Sequence, residues 1–149
     1  EDGALLALRT RLLPLASLVT PNLPEAELLL GHAIADLAAM RAAADELLTL
    51  GARAVLLKGG HLQGGGDVVD LFADADGLRE IVHPRLQLEA HGTGCTLASA
   101  IAANLCLGLP LAAACAAASD YVHAALRLGY RPGRSDIVVL DHFGAAPSA

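Results

Sequence analysis

A glycine-containing loop that directly precedes an alanine-rich helix is the segment of this sequence best suited to binding a phosphate. It reads His91-Gly92-Thr93-Gly94-Cys95-Thr96, and the predicted helix begins near Leu97. Two glycines allow a tight turn that brings backbone N–H groups close to an anion, and the helix N-terminus adds partial positive charge. A cysteine at such a terminus could act as a base or a nucleophile. The alternative is an ordinary glycine turn capped by Thr93 or Thr96.

Two further polar groups follow apolar runs that are typical of buried strands. Lys58 comes after residues 54–57 and precedes two glycines, so its ammonium could balance phosphate charge in the same strand-end crevice. The alternative is a solvated loop lysine. Asn22 and Glu25 follow residues 15–20 with Asn-x-x-Glu spacing and could organise the waters around Mg²⁺. Capping of the helix that follows is the alternative, because an acid in a first turn needs no metal.

Predicted strands and helices alternate along the chain that carries these groups. Such alternation indicates an α/β layered fold with a mostly parallel sheet, whose ligands gather at the carboxyl ends of strands. We find no internal repeat and predict one domain over residues 1–149. The glycines at 64–66 predict a turn, and residues 73–77 a hairpin. Helices are predicted over 5–13, from Pro24 and over 36–50, and strands over 15–20, 54–57, 68–72, 79–83 and 137–140.

Residues 97–118 contain no charged side chain and are long enough to cross a bilayer. However, Asn104, Gly108 and Pro110 interrupt the stretch, and much of it is alanine. Glycine suits a helix C-terminus and proline a first turn, so we predict two largely buried helices that are separated near Gly108.

Composition excludes several classes of protein. The 149 residues are 54% hydrophobic and 17% charged with a mean hydropathy of +0.51, which excludes a disordered chain. A net charge of −6 and 3% aromatic residues argue against a nucleic-acid partner.

Three cysteines without a Cys-x-x-Cys pair predict neither a disulfide framework nor a zinc site, and a reducing cytoplasm is expected. Cys106 and Cys115 are predicted to lie in the core. The start, Glu1-Asp2-Gly3-Ala4, is predicted to be a cut end rather than a signal peptide.

Four segments, taken in order, resemble the hydroxymethylpyrimidine/phosphomethylpyrimidine kinases of thiamine biosynthesis, a family of the ribokinase-like superfamily. They are Thr20–Glu27, Lys58–Leu62, Val69–Leu71 and His91–Leu97. The terminal Asp141-His142-Phe143 is similar to the Asn-His-Phe that closes the family's chains. Two positions depart from the family pattern: Asp141 replaces the usual Asn, and Ala90 stands where Thr commonly precedes the His-Gly-Thr-Gly-Cys run.

The resemblance implies a ribokinase-like three-layer sandwich with a mostly parallel central sheet and the N-terminal part absent. It also implies phosphorylation of 4-amino-5-hydroxymethyl-2-methylpyrimidine and its monophosphate with ATP and Mg²⁺. The implied roles are an anion hole at Gly92, Thr93 and Gly94, a catalytic base at Cys95, nucleotide phosphate binding at Lys58, and Mg²⁺ held through water by Asn22 and Glu25.

Two alternatives to this function remain open at the level of the sequence. Pyridoxal/pyridoxine kinases share the Lys-Gly and Gly-Thr-Gly elements. A truncated, nonenzymatic nucleotide-binding fragment is the second alternative, because the resemblance covers only the C-terminal portion of such enzymes. A sheet cut at an internal strand would expose an apolar edge, so we expect a homo-oligomer or a complementing N-terminal portion as partner.

Overall fold

The structure, a computed structural model, describes residues 2–63 and 66–145, which group into two compact units that divide between Val82 and His83. The prediction of one domain over residues 1–149 stays a prediction. Gly64 and Gly65 of the predicted glycine turn lie outside the described residues.

The first unit opens with continuous helical turns. Helix α1 (Asp2–Ala7) passes into a π-helical turn over Leu8–Leu12 and a 3₁₀ turn over Leu13–Leu15. The predicted helix is thus confirmed, but it continues past Pro14, because a proline is tolerated in the first turn of the 3₁₀ segment. The strand predicted over 15–20 is reduced to one isolated parallel bridge, between Val19 and Val55, and a second such bridge just beyond it joins Asn22 to Lys58.

Helices α2 (Leu23–Leu30) and α3 (Leu37–Thr49) and strand β1 (Ala54–Leu57) form the core of this unit. The side chain of Asp36 accepts a hydrogen bond from the Ala39 N–H and so fixes the start of α3. All four residues of β1 are buried, as expected for a strand that is covered on both faces.

A hairpin completes the three-stranded sheet, whose order is β1-β2-β3. Strands β2 (Val68–Asp74) and β3 (Gly77–His83) confirm the predicted pair and extend both strands. Strand β2 runs antiparallel to β1 in a register that sets Ala54 opposite Asp74 and Leu57 opposite Leu71. The prediction of a mostly parallel sheet is therefore confirmed only in part, since this hairpin adds antiparallel pairing.

The second unit contains a short parallel pair of strands and two helices. Strand β4 (Glu89–Ala90), for which the sequence analysis gives no prediction, pairs with β5 (Ile137–Val138). Helices α4 (Thr93–Cys106) and α5 (Leu111–Arg127) are separated at Gly108, whose φ of +88° favours glycine. The predicted division into two helices is confirmed. Within residues 2–63 and 66–145, no helix has the length and apolarity that a membrane crossing would require.

The two helical cysteines differ in their surroundings. Cys115 on α5 is fully buried as predicted, and burial raises the pKa of its thiol to about 11. The prediction for Cys106 is wrong, because this residue is exposed. Leu97 and Ile101 define the buried face of α4. Cys106 comes five residues after Ile101 and therefore lies about 140° around the helix from it, away from that face.

Candidate functional site

Parallel pairing in the first unit brings three predicted site residues together at the carboxyl end of β1. The Lys58 N–H donates to the Pro21 carbonyl over 2.9 Å, and the backbones of Lys58 and Asn22 pair in an isolated parallel β-bridge. Glu25 follows in the first turn of α2. We call this group, together with Gly59 and Asp70, the Lys58 corner.

Asn22 and Glu25 form a reciprocal capping box at the start of α2. Asn22 Oδ1 accepts from the Glu25 N–H over 2.9 Å, and Glu25 Oε2 accepts from the Asn22 N–H over 2.8 Å. Two N–H groups that a helix start would otherwise leave unsatisfied are therefore bonded. The capping alternative raised by the sequence is thus realised, and Glu25 remains exposed to solvent.

The close approach of β2 explains why a glycine, Gly59, directly follows Lys58. A Cβ at this position would overlap the backbone carbonyl oxygen of Val69 on β2. The Gly59 N–H donates to Asp70 Oδ1 over 2.9 Å, and the Gly59 carbonyl accepts from the Leu62 N–H over 3.0 Å. The turn that carries Lys58 is therefore closely packed and bonded to β2.

The predicted phosphate loop of the second unit starts helix α4. Gly92 is the N-cap residue with φ +85°, a left-handed conformation that favours glycine, and its carbonyl accepts from the Thr96 N–H over 2.9 Å. Thr93, Gly94 and Cys95 precede that first intrahelical bond, so their N–H groups have no partner within the helix. No side chain of the described residues caps this helix, so the alternative of capping by Thr93 or Thr96 is wrong.

Cys95 is exposed and lines a cleft of about 690 Å³. Tyr121 on α5 and His142 form part of the wall, with ring centroids 6.3 Å apart and ring planes 21° from parallel. The Tyr121 hydroxyl donates to the His142 carbonyl over 3.2 Å. The other residues of the lining are Thr96, Ser99, Ala100, Ala103 and Asn104 from α4 and Ala117 from α5.

Tyr121 and Asp70 have contacts at these sites but no predicted role. His142 lies in the terminal Asp-His-Phe segment, but only the fold shows that a tyrosine of α5 stacks beside it. Asp70 belongs to a segment used for the family resemblance, and its contact with Gly59 depends on the pairing of β1 with β2. Neither contact follows from spacing along the chain.

The predicted site residues thus fall into two sets, one in each compact unit. Asn22, Glu25 and Lys58 share the Lys58 corner, whereas Gly92, Thr93, Gly94 and Cys95 share the start of α4. Across the described residues, no three His, Cys, Asp or Glu side chains are grouped so that they could hold a metal ion directly.

Comparison with known proteins identifies the family. A family model described as phosphomethylpyrimidine kinase matches residues 1–139. The chain belongs to this family. Over 135 residues it is 54% identical to the thiamine biosynthesis bifunctional protein ThiED of Geobacter sulfurreducens, covering 90% of this chain and 27% of that protein. Over 143 residues it is 49% identical to the hydroxymethylpyrimidine/phosphomethylpyrimidine kinase of Rhizobium meliloti, covering 92% of this chain and 53% of that protein.

Solved structures support the predicted fold of this phosphomethylpyrimidine kinase family member. The pyridoxal kinase from Staphylococcus aureus in complex with ADP aligns with a TM-score of 0.89 and 31% identity, covering 97% of this chain and 54% of that one. The predicted ribokinase-like α/β fold is confirmed by this likeness, while the three-layer arrangement stays a prediction. The chain spans between about a quarter and a half of the length of these relatives.

Proposed function

We propose that this chain carries the phosphoryl-transfer residues of a hydroxymethylpyrimidine/phosphomethylpyrimidine kinase. The reaction is ATP-dependent phosphorylation of the hydroxymethyl group of 4-amino-5-hydroxymethyl-2-methylpyrimidine and then of the monophosphate. Membership of the phosphomethylpyrimidine kinase family supports the substrate class, and the ADP complex of a similar pyridoxal kinase supports a nucleotide as phosphate donor.

The observation that carries this proposal is the open start of α4. Gly92 turns the chain into the helix without a side-chain cap from the described residues, and the next three N–H groups precede the first intrahelical bond. Such groups suit the oxygens of a transferring phosphate, which carry most of the charge during phosphoryl transfer. Gly92, Thr93 and Gly94 are therefore our proposed anion hole.

Cys95 is our proposed base for the first phosphorylation. The residue is exposed at the third position of α4, where a hydroxyl group can approach its sulfur. Its thiolate would accept the hydroxyl proton as the substrate oxygen bonds to the γ-phosphorus of ATP, and the bond from that phosphorus to the bridging oxygen breaks to release ADP. Lys58 would contribute positive charge toward the nucleotide phosphates, which lowers the cost of bringing anionic groups together.

Asn22 and Glu25 are the residues that we propose to hold hydrated Mg²⁺. The capping box uses Glu25 Oε2, and the carboxylate is exposed, so Oε1 can accept a hydrogen bond from a metal-bound water. This arrangement fits a cation that keeps several waters and takes few protein ligands. When bound, Mg²⁺ would neutralise phosphate charge.

The test is ATP-dependent phosphate transfer by the purified 149-residue chain, with the product identified by mass. Hydroxymethylpyrimidine and its monophosphate serve as separate acceptors, and the Cys95→Ala variant is assayed alongside. Product from the parent chain and little from the variant would support the assignment. Unchanged turnover in Cys95→Ala would discard the proposed base.

A pyridoxal kinase is the second candidate function, favoured by the TM-score of 0.89 to a solved pyridoxal kinase. The two functions differ in the ring that carries the hydroxymethyl group, so the same assay with pyridoxal as acceptor separates them. We rank the pyrimidine first because relatives at 54% and 49% identity are named for thiamine biosynthesis and for that activity. A clear preference for pyridoxal would reverse the ranking.

Assembly and compartment complete the proposal. We propose that activity depends on a second copy of the chain or a complementing N-terminal portion, because the chain spans at most about half of the relatives' length. A folded chain that binds ATP without turnover would instead support a nonenzymatic nucleotide-binding fragment.

We also propose a reducing cytoplasm as the compartment, because exposed thiols at Cys95 and Cys106 suit it.

A further inference from the structure

The turn that carries Lys58 is fixed from two neighbouring segments. On one side, the Lys58 N–H donates to the Pro21 carbonyl. On the other side, the Gly59 N–H donates to the carboxylate of Asp70 over 2.9 Å in a partly buried position. Both N–H groups of the Lys58-Gly59 pair are thus bonded, one to backbone and one to a side chain.

The strand register explains why an acid at position 70 meets this turn. Strands β1 and β2 pair in antiparallel register as far as Leu57 and Leu71, so the turn that follows β1 lies beside the neighbouring residue of β2, Asp70. A carboxylate at this position is within hydrogen-bond distance of the Gly59 backbone.

Close packing leaves the turn little freedom to adopt another path. Gly59 is buried with its Cα against the Val69 carbonyl, and the Leu62 N–H donates to the Gly59 carbonyl. A hydrogen bond to an ionised acceptor is stronger than one between neutral groups. The bond from Gly59 to Asp70 is thus well placed to control the direction in which Lys58 leaves the sheet.

We propose that Asp70 is a positioning residue that orients Lys58 for the phosphates of ATP by holding the Gly59 N–H. This inference rests on the proposed nucleotide role of Lys58. Asp70 itself touches no reacting atom in this proposal, because its carboxylate acts through the backbone of the turn.

The experiment compares Asp70→Ala and Asp70→Asn with the parent chain and with Asp74→Ala. Asp74 is the matched control, since it lies on the same strand and its carboxylate also accepts from one backbone N–H, that of Asp76 over 3.0 Å. Two quantities are measured: the dissociation constant for Mg-ATP by calorimetry, and the hydrogen-exchange rate of the Gly59 amide by NMR.

We expect Asp70→Ala to weaken ATP binding roughly tenfold and to speed exchange at Gly59. Asp70→Asn keeps an acceptor oxygen, so its affinity should stay within about threefold of the parent value. Asp74→Ala should change neither quantity. Parental affinity in Asp70→Ala, or an equal loss in Asp70→Asn, would overturn the proposal. Should Asp70→Ala fail to fold, Asp70→Ser takes its place with the same supporting and contradicting outcomes, because its shorter side chain ends before the position of the Oδ1 that the Gly59 N–H meets.

Failure of the proposed function gives a different result. A folded parent chain that binds no Mg-ATP would overturn the nucleotide role of Lys58, and the role of Asp70 with it. Binding by the parent with unchanged affinity in Asp70→Ala would overturn the role of Asp70 alone.

Discussion

Helices α2 and α4 both begin just after short stretches of strand pairing, yet their N-termini are completed in opposite ways. At α2, Asn22 and Glu25 bond each other's N–H groups in a closed capping box. At α4, Gly92 starts the helix in a left-handed conformation, and no side chain of the described residues caps it. At α2 the cap residues bond N–H groups of the helix start, whereas at α4 the first N–H groups remain available to water or a ligand.

The closed start of α2 contributes to folding stability, whereas the open start of α4 keeps groups available for binding. A closed cap contributes about 1 kcal/mol to folding and uses the polar atoms that could otherwise meet a ligand. An open start forgoes that contribution, but it keeps its N–H groups and its partial positive charge available to an anion. Substitutions at α2 should therefore act mainly on the free energy of unfolding, and substitutions at α4 mainly on ATP binding and turnover.

The largest effect is expected from Cys95→Ala at the open start. Loss of a proton acceptor should reduce turnover about a hundredfold or more, while affinity for ATP stays close to the parent value. Steady-state kinetics with hydroxymethylpyrimidine and calorimetry with ATP measure the two quantities. Cys106→Ala is the control, because it removes the other exposed cysteine, at the opposite end of α4. Equal losses in both variants would contradict a specific role for Cys95.

Gly92→Ala is expected to give the next largest effect. Alanine at φ +85° costs about 1–2 kcal/mol of stability, and relief of that strain would turn the N–H groups away from the bound phosphate. Gly108→Ala provides a matched control at the other end of α4, since its φ is +88° and both glycines have open space around an added Cβ. Thermal unfolding should show similar losses in the two variants.

Affinity for ATP then distinguishes the two glycines. It should fall in Gly92→Ala and remain unchanged in Gly108→Ala, because only Gly92 lies at the open helix start. A fall of the same size in both variants would mean that ATP affinity simply follows stability.

Elements with strong local patterns could be predicted from the sequence, whereas contacts between elements could not. The apolar run of β1 and the break at Gly108 were predicted correctly, because each depends on neighbouring residues. Strand β4 was missed, since two residues carry too little pattern and pair only with the distant β5. The antiparallel hairpin was predicted, but not that it extends the sheet beside β1.

The candidate site shows the same limit. The Gly92 loop and the Asn22-Glu25 spacing could be recognised as local motifs. Whether a helix start is capped or free to bind a ligand depends on side-chain geometry, so the sequence alone is compatible with both alternatives at α2 and at α4. The Asp70 contact with Gly59 required the register of β1 and β2, which residue spacing does not specify.

At the closed start of α2, two substitutions separate capping from metal binding. Asn22→Ala removes the side-chain acceptor and should cost about 1 kcal/mol of unfolding free energy, as should Asp36→Ala, the equivalent change at the start of α3. Glu25→Gln keeps an oxygen that can accept from the Asn22 N–H, so it should cost less. Urea denaturation measures all three.

Glu25→Gln should nevertheless raise the Mg²⁺ concentration needed for half-maximal ATP binding, because a neutral amide attracts hydrated Mg²⁺ less strongly than a carboxylate. Asp36→Ala should leave that concentration unchanged. An unaltered Mg²⁺ requirement in Glu25→Gln would reduce Glu25 to a helix cap.

The smallest effect is a pH dependence of stability with opposite signs in the two units. In the first unit, a hydrogen bond to Glu46 raises the pKa of His32. The stability that this histidine contributes is therefore present below pH 6.5 and is lost as pH rises through the folded-state pKa.

In the second unit, the pKa of His123 is lowered, first by burial and then by nearby His83 and Arg127. The unfolded chain then takes up a proton first as pH falls below 6.5, and stability decreases. Urea unfolding at pH 5.5 and 7.5 should show that His123→Gln reduces the acid loss of stability and His32→Gln increases it. A shift of the same sign in both variants would contradict the contrast between a paired histidine and one that stacks on another histidine.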